Sequence, residues 1–271
     1  MAILKLTIIT IFGLTAFANA GIAETAILVQ STTSTKNSGL YNHILPIFKH
    51  DTGITVNVVA VGTGAAIKNA MNCDGDVLLV HSRKRENNFV AKGYAKRRYD
   101  LMYNDYVIVG PVKDPANIVG MNDAVAALKK IANTNSKFAS RGDSSGTDSK
   151  EKSLWESTGV NQIAHSGHWY RETGSGMGTT LNTAVGMGAY TLSDRASWRT
   201  HANKADFKIM VEGDKRLFNP YGVMLIDKTR CPNVNSIAGK AFIDWLISEK
   251  GQTTIAAHRF AGKQLFFPNT K

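Results

Sequence analysis

Cysteine is scarce: the 271 residues include two, Cys73 and Cys231. One pair is not the disulfide framework that staples small exported domains, and a chain this long can bury a full core without one. Their positions in the sequence leave open whether the two thiols pair. Neither lies near the N-terminus, so no lipid anchor on an N-terminal cysteine is expected. Beyond residue 20 no apolar run approaches the length of a membrane span, so the mature chain is expected to be soluble. Internal repeats, low-complexity tracts and Pro-rich linkers are also absent, which argues against modules strung on flexible tethers.

Motifs that carry chemistry are equally sparse. Gly146 is followed by Thr147 and Asp148, where a P-loop needs Lys and then Ser or Thr. Where a dinucleotide fingerprint needs its third glycine, Gly62-Thr63-Gly64 meets Ile67, and Gly174 with Gly176 meets Thr179. The seven histidines form no HExxH pattern, and His165 with His168 lacks a third ligand at metal-site spacing. No serine sits in a G-x-S-x-G elbow. Nucleotide binding, a resident metal and covalent catalysis find no support, so neither enzyme activity nor a cofactor is expected.

What is present begins with an N-terminal leader. Lys5 is the only charge before Glu24, an apolar run follows from Leu6 to Phe17, and Ala18-Asn19-Ala20 has a small-x-small pattern. This is the anatomy of a secretory signal peptide over residues 1–20, with cleavage near 20–23 and a periplasmic mature chain. The formal net charge is +11. It falls to about +10 without Lys5 and favours anionic partners through long-range attraction. Apart from Arg83-Lys84-Arg85 and Lys96-Arg97-Arg98 the basic residues are scattered, without interleaved aromatics. These clusters read as solvated surface, and nucleic acid is not an expected partner.

Short apolar runs alternate with helical patterns. Ala26–Val29, Val56–Val61 and Val77–Val80 are compact and rich in β-branched residues, as buried parallel strands require. Leu40, Ile44, Ile47 and Phe48 recur at helical spacing up to Gly53, with a kink expected at Pro46. A second helix is predicted from Gly64 to Met71, which completes strand–helix–strand–helix–strand. New chain then repeats the pattern. Tyr106–Val109, Phe138–Ser140, Trp169–Arg171 and Tyr190–Leu192 read as strands, with a helix marked by Val125, Leu128 and Ile131. Late in the chain, Tyr221–Ile226 reads as a strand and Ile237–Leu246 as a helix. The prediction is an α/β fold of two lobes, each a mainly parallel sheet flanked by helices. The crossings are placed near Tyr103–Asp105 and Asn219–Tyr221.

Four turns rich in glycine or hydroxyls each follow a predicted strand and precede a predicted helix. They are Ser31–Thr35, Gly62–Gly64, Arg141–Thr147 and Gly174–Thr179. In open α/β sheets ligands sit beyond the carboxyl ends of the strands, where helix N-termini present free N–H groups and partial positive charge. Serine and threonine add hydroxyl donors, and a guanidinium such as Arg141 suits bidentate contact with oxyanion oxygens. Taken singly, each turn is also explained by helix capping or tight-turn geometry, and Asp143 is a ready partner for Arg141. Four together, spread over both lobes, point to a site for a small anion.

With Tyr103-Asn104-Asp105, Tyr190–Arg195 and Asn219–Gly222 added, these motifs resemble those of the tungstate-binding proteins of tungstate ABC importers. The resemblance runs from Ala26 to the last helix. Ser31 stands where that family's first loop usually opens with Thr, a change that keeps the hydroxyl. The resemblance implies a type II periplasmic-binding-protein fold with a two-strand hinge. Lobe I would comprise residues 24–104 with 221–271, and lobe II residues 105–220. It implies oxyanion contacts from Thr32, Thr33, Ser34 and Thr63, then Arg141, Ser145 and Thr147, with backbone donors at Met177 and Gly178. Arg195 completes the set, with Asp194 beside it as a competing ion-pair partner. The implied role is a monomeric binding protein that closes on tungstate or molybdate and delivers it to a membrane permease. Phosphate or sulfate is the alternative ligand, since Asp143 or Asp194 would accept a phosphate proton; an enzyme on the same scaffold is the alternative class.

Overall fold

The computed structural model describes residues 25–270, so the expected signal peptide lies outside the described residues. The chain opens with β1 (Ala26–Thr32), α1 (Thr33–Asn37), α2 (Leu40–Thr52), β2 (Thr55–Val61), α3 (Thr63–Met71), β3 (Val77–Val80) and α4 (Arg83–Ala91). Strand β1 pairs in parallel with β2 and with β3, as the β-branched runs predict. Alternate residues of β3 serve opposite faces. Val77 and Leu79 pack with α2 side chains such as Phe48, while Leu78 and Val80 pack with Ala66 and Ala70 of α3. Burial on both faces is why this strand is apolar without alternation. Helix α2 continues through Pro46 as one element.

Strand β4 (Tyr99–Pro111) is longer than the predicted Tyr106–Val109 and belongs to both halves of the molecule. After it come α5 (Ala124–Asn133), β5 (Phe138–Ser140), α6 (Gly146–Thr158), β6 (Tyr170–Glu172), α7 (Met177–Met187), β7 (Thr191–Asp194), α8 (Arg195–Thr200) and β8 (Phe207–Val211). The chain returns along β9 (Phe218–Leu225) to α9 (Ser236–Ile247) and α10 (Glu249–Ala257). It ends in the short strands β10 (Arg259–Phe260), β11 (Lys263–Gln264) and β12 (Phe267–Pro268).

The first part of β4 pairs antiparallel with β9, with Asn104 opposite Asn219 and Asp105 opposite Phe218. Its second part pairs antiparallel with β7 and β8. Two cores lie on each side of this crossing. On the far side, Tyr106 and Ile108 face a cluster with Phe138, Trp155, Tyr170 and Tyr190, while Val107 and Val109 face Leu181 and Trp198. The architecture is therefore two α/β/α sandwiches that share the paired strands β4 and β9. Parallel pairing holds for β1 with β2 and β3, and for β5 with β6, whereas the crossing strands run antiparallel to their neighbours.

Cys73 and Cys231 form a disulfide with their Cα atoms 5.2 Å apart. It joins the turn after α3 to the segment after β9 across 158 residues of sequence, which include the whole second sandwich. The bond thus ties the first sandwich's two chain segments together without crossing the cleft. Closing so long a loop removes entropy from the unfolded chain, and a stabilisation of about 3–5 kcal/mol follows. Replacing both cysteines by serine should lower the unfolding free energy by that amount in a denaturant titration while leaving ligand affinity within about threefold.

Gly222, on β9, packs directly against the buried Glu86–Arg98 ion pair; a Cβ there would overlap Glu86 Oε2 and sit 2.6 Å from Arg98 Nε. Neither charged group can move without losing its partner. Gly222→Ala is expected to cost about 2–3 kcal/mol of stability, as overpacking typically does, and chemical denaturation checks it.

Candidate functional site

Each of the four turns becomes a helix N-terminus. Thr32 caps α1, Gly62 caps α3, Ser145 caps α6 and Gly176 caps α7. The first N–H groups of a helix have no partner within it, so each end offers donors. Capping uses part of the hydroxyl set: Thr32 Oγ1 accepts from Thr35 N at 3.4 Å and Ser145 Oγ from Asp148 N at 3.1 Å. The Ser145 proton is thereby left to donate, whereas Thr32 Oγ1 also lies 2.7 Å from Thr35 Oγ1 and 3.1 Å from Ser34 Oγ, within a cluster of hydroxyls.

Contacts between the sandwiches bring these ends together. Gly146 N, at the start of α6, donates to Thr63 Oγ1 at 3.0 Å. A Cβ on Gly146 would lie 3.0 Å from His81 Cε1, so α6 approaches His81 closely. Arg85 Nη1 donates to Ser144 O at 2.6 Å from the opposite wall. The turn before α7 is held to the Arg141 turn, since Ser175 N donates to Arg141 O at 3.2 Å. Gly178 shares a cavity of about 170 Å³ with Asn37 at the end of α1 and Ser197 of α8.

Most of the sequence-predicted residues are found in this set. Thr32, Ser34, Thr63, Arg141, Ser145, Thr147 and Met177 are buried, and Thr33 and Gly178 are half-buried. The Arg141 guanidinium donates to Asp143, and its Nε lies 3.4 Å from Ser175 O. Thr147 Oγ1, beside the Tyr106 hydroxyl, has no hydrogen bond of good geometry and is sealed from solvent. Arg195 does not share this environment. Asp105 holds its guanidinium through two bonds of 2.6 Å, and Glu212 adds a third contact at 2.7 Å. The competing carboxylates are therefore Asp105 and Glu212 rather than Asp194, whose Oδ1 caps α8 through Ser197 N at 2.9 Å.

Below Arg141, Glu151 of α6 is fully buried and accepts from Tyr170 at 2.8 Å. Burial pushes its carboxyl up to about 8, so it is neutral at pH 7 and adds no negative charge under the turn.

His81 was not singled out by sequence, because nothing in Val-His-Ser marks a ligand-site residue. It follows β3 directly and is buried. Its Nε2 lies 3.1 Å from Ser34 Oγ, and its Nδ1 lies 3.1 Å from Asn219 Oδ1 and 3.2 Å from the Tyr106 hydroxyl. Asn219 Nδ2 donates to Asn104 Oδ1 at 2.6 Å, and Asn104 Nδ2 reaches Asp194 Oδ1 at 3.5 Å. A polar relay thus runs from the first loop through both crossing strands to the start of α8. Burial holds the imidazole down to about 4, with Asp194 and the Asn219 contact opposing the shift and Arg141 adding to it.

The arrangement offers hydroxyls, helix N-termini and one guanidinium, which is the chemistry of a small oxyanion receptor. Among the described residues no group of three or more His, Cys, Asp or Glu is placed to hold a metal ion.

Comparison with known proteins agrees with that chemistry. The profile of the PBP superfamily domain matches residues 19–250. The chain is 44% identical over 251 residues to the tungstate-binding protein TupA of Peptoclostridium acidaminophilum, covering 91% of this chain and 87% of that protein. It is 44% identical over 244 residues to a putative ABC transporter anion-binding protein of Haloferax volcanii, covering 88% and 70% respectively. Among solved structures, TupA of Desulfovibrio alaskensis G20 superposes with a TM-score of 0.80 at 43% identity, over 91% of this chain and all of that one. The chain belongs to the PBP superfamily and, within it, to the family of the TupA tungstate-binding proteins.

Proposed function

We propose that this protein is the exported solute-binding component of an ABC importer, capturing tungstate, and molybdate in second place, between two lobes for delivery to a membrane permease. It binds and releases its ligand without transforming it. The observation that carries this reading is the convergence of four helix N-termini and Arg141 from both sides of one cleft. Lobe I takes residues 24–104 with 221–271 and lobe II takes 105–220, so each lobe holds part of the donor set. The full shell exists only when the lobes meet, and binding thereby favours closure. No helix of the described residues is long and apolar enough to cross a membrane.

Thr32, Thr33, Ser34, Thr63, Ser145 and Thr147 supply hydroxyls, Met177 and Gly178 supply N–H groups, and Arg141 supplies charge. Arg195 is left out because two carboxylates already occupy it. The chain is expected to act as a monomer. Phosphate remains a chemical rival because Asp194 Oδ2 is buried without a partner and would accept the proton of monohydrogen phosphate.

A ligand that binds only the folded state raises the unfolding midpoint. Thermal unfolding of the mature protein with tungstate, molybdate, sulfate and phosphate at equal concentration should show a large shift with tungstate and an equal or smaller one with molybdate. Sulfate and phosphate should leave the midpoint unmoved; a shift with either of these alone would reassign the substrate.

Arg141→Ala removes one buried charge-assisted contact, worth about 1.5–3 kcal/mol. Calorimetric titration should show tungstate affinity falling by about 10–200-fold with the ligand-free unfolding midpoint little changed. Affinity near that of the wild type would remove Arg141 from the ligand set.

A further inference from the structure

The amide relay determines which nitrogen of His81 carries a proton. Asp194 Oδ1 accepts from Ser197 N and from Asn104 Nδ2, so Asn104 presents its NH₂ to Asp194 and its Oδ1 to Asn219. Asn219 therefore donates to Asn104 and turns its own Oδ1 to His81 Nδ1. The proton lies on Nδ1, and Nε2 is left with a lone pair 3.1 Å from Ser34 Oγ. Ser34 has a single hydroxyl proton, and in this state it is spent on His81, so that toward Thr32 Oγ1, 3.1 Å away, Ser34 can only accept. The loop residue best placed beside the site then has no donor left for an anion.

Charge balance presents the same difficulty. Arg141 is the cation of the site, and it is already paired with Asp143. Asp194 adds an unneutralised carboxylate oxygen nearby. Against a dianion, the side chains sum to no net positive charge. The groups facing His81 are Ser34 of α1, Tyr106 of β4, Asn219 and the stacked Tyr221 of β9, and Gly146 at the start of α6. Asp194 and Arg141 act on it as charges. Within this group only His81 can gain a positive charge.

We infer that His81 takes up a proton when the oxyanion binds, becoming a charged member of the ligand shell. Once protonated, Nε2–H donates to Ser34 Oγ, which releases the Ser34 proton toward the anion while Nδ1–H keeps its bond to Asn219. One proton thus adds one unit of charge and one donor. In the free protein burial keeps the imidazole neutral at pH 7, so the charge arrives only with the ligand. Because the bound form then holds more protons than the free form, affinity falls as pH rises.

This inference rests on the oxyanion reading above. The test is isothermal titration of the mature protein with sodium tungstate between roughly pH 7 and 9, in buffers of different ionisation enthalpy. Wild-type protein should take up as much as one proton per tungstate, with Kd weakening up to tenfold per pH unit. His81→Gln, which keeps hydrogen-bonding capacity but cannot ionise, should bind more weakly at pH 7, with no uptake and a flat profile. In wild-type protein labelled with ¹⁵N-histidine, tungstate should convert one buried imidazole from a single N–H to two. Tungstate binding without proton uptake, uptake retained in His81→Gln, or an unchanged imidazole would each overturn the inference. Failure of tungstate to bind at any pH would instead overturn the functional reading and, with it, this one.

Discussion

A helix cannot satisfy its own first N–H groups, and this fold directs four such ends at one volume. Everything else in the structure serves that arrangement. Parallel strands deliver each turn to the same edge of its sheet, so β1, β2, β5 and the segment before α7 all end facing the cleft. The turns are built of Ser, Thr and Gly because larger side chains would fill the space their donors must reach. Unpaired N–H groups are costly when buried, so the closed arrangement is favourable only with acceptors inside it.

Contacts across the cleft are few and polar, such as Gly146 N on Thr63 Oγ1 and Arg85 on Ser144 O. Among the described residues the hydrophobic clusters remain on their own sides of β4 and β9, apart from Ala196, which joins the first. Closure is therefore not driven by the hydrophobic effect and is left to the ligand. Two strands passing between large independent cores form a hinge whose bending leaves each core intact. The disulfide fits the same logic, since it stiffens one sandwich and leaves the crossing free.

Much of this was legible in the sequence. β3 matches its predicted bounds at Val77–Val80, and the four turns were recognised from glycine and hydroxyls following apolar runs. The hinge was harder. A crossing was placed near Tyr103–Asp105, but the reach of that strand back to Tyr99 was hidden, because Asp100, Asn104 and Asp105 are polar residues whose partners include Arg83, Asn219 and Arg195 from other elements. Helix α4 escaped notice for a similar reason. Its apolar face is little more than Phe89, and its other buried residue, Glu86, is an ion-pair partner that no periodicity reveals. The ion-pair partner of Arg195 was misread because adjacency suggested Asp194, whereas β4 brings Asp105 alongside from the neighbouring strand. His81 illustrates the general limit. A buried polar residue is given meaning by its hydrogen-bond partners, and those of His81 come from three separate parts of the chain.

Charge is divided between two tasks. A cavity of about 930 Å³ beside the site is lined by Arg83, Lys84, Lys150, Lys152, Lys215 and other cations, with Glu156 as its acidic member. Lys152 is paired with Asp148 and Arg83 with Asp100, but Lys84 and Lys215 make no ion pair among the described contacts. Exposed charge of one sign raises the local concentration of an opposite ion and its rate of arrival, and salt screens it over a Debye length of about 8–10 Å. The buried shell behaves differently. The donors proposed for it would be shielded from salt and would set how long an anion stays. A surplus of cations inside the shell would hold the lobes apart in the empty protein, by mutual repulsion and desolvation. Pairing Arg141 with Asp143 and keeping Glu151 and His81 neutral avoids that penalty until an anion arrives. Attraction is thus placed where it cannot resist closure, and recognition where it cannot be screened.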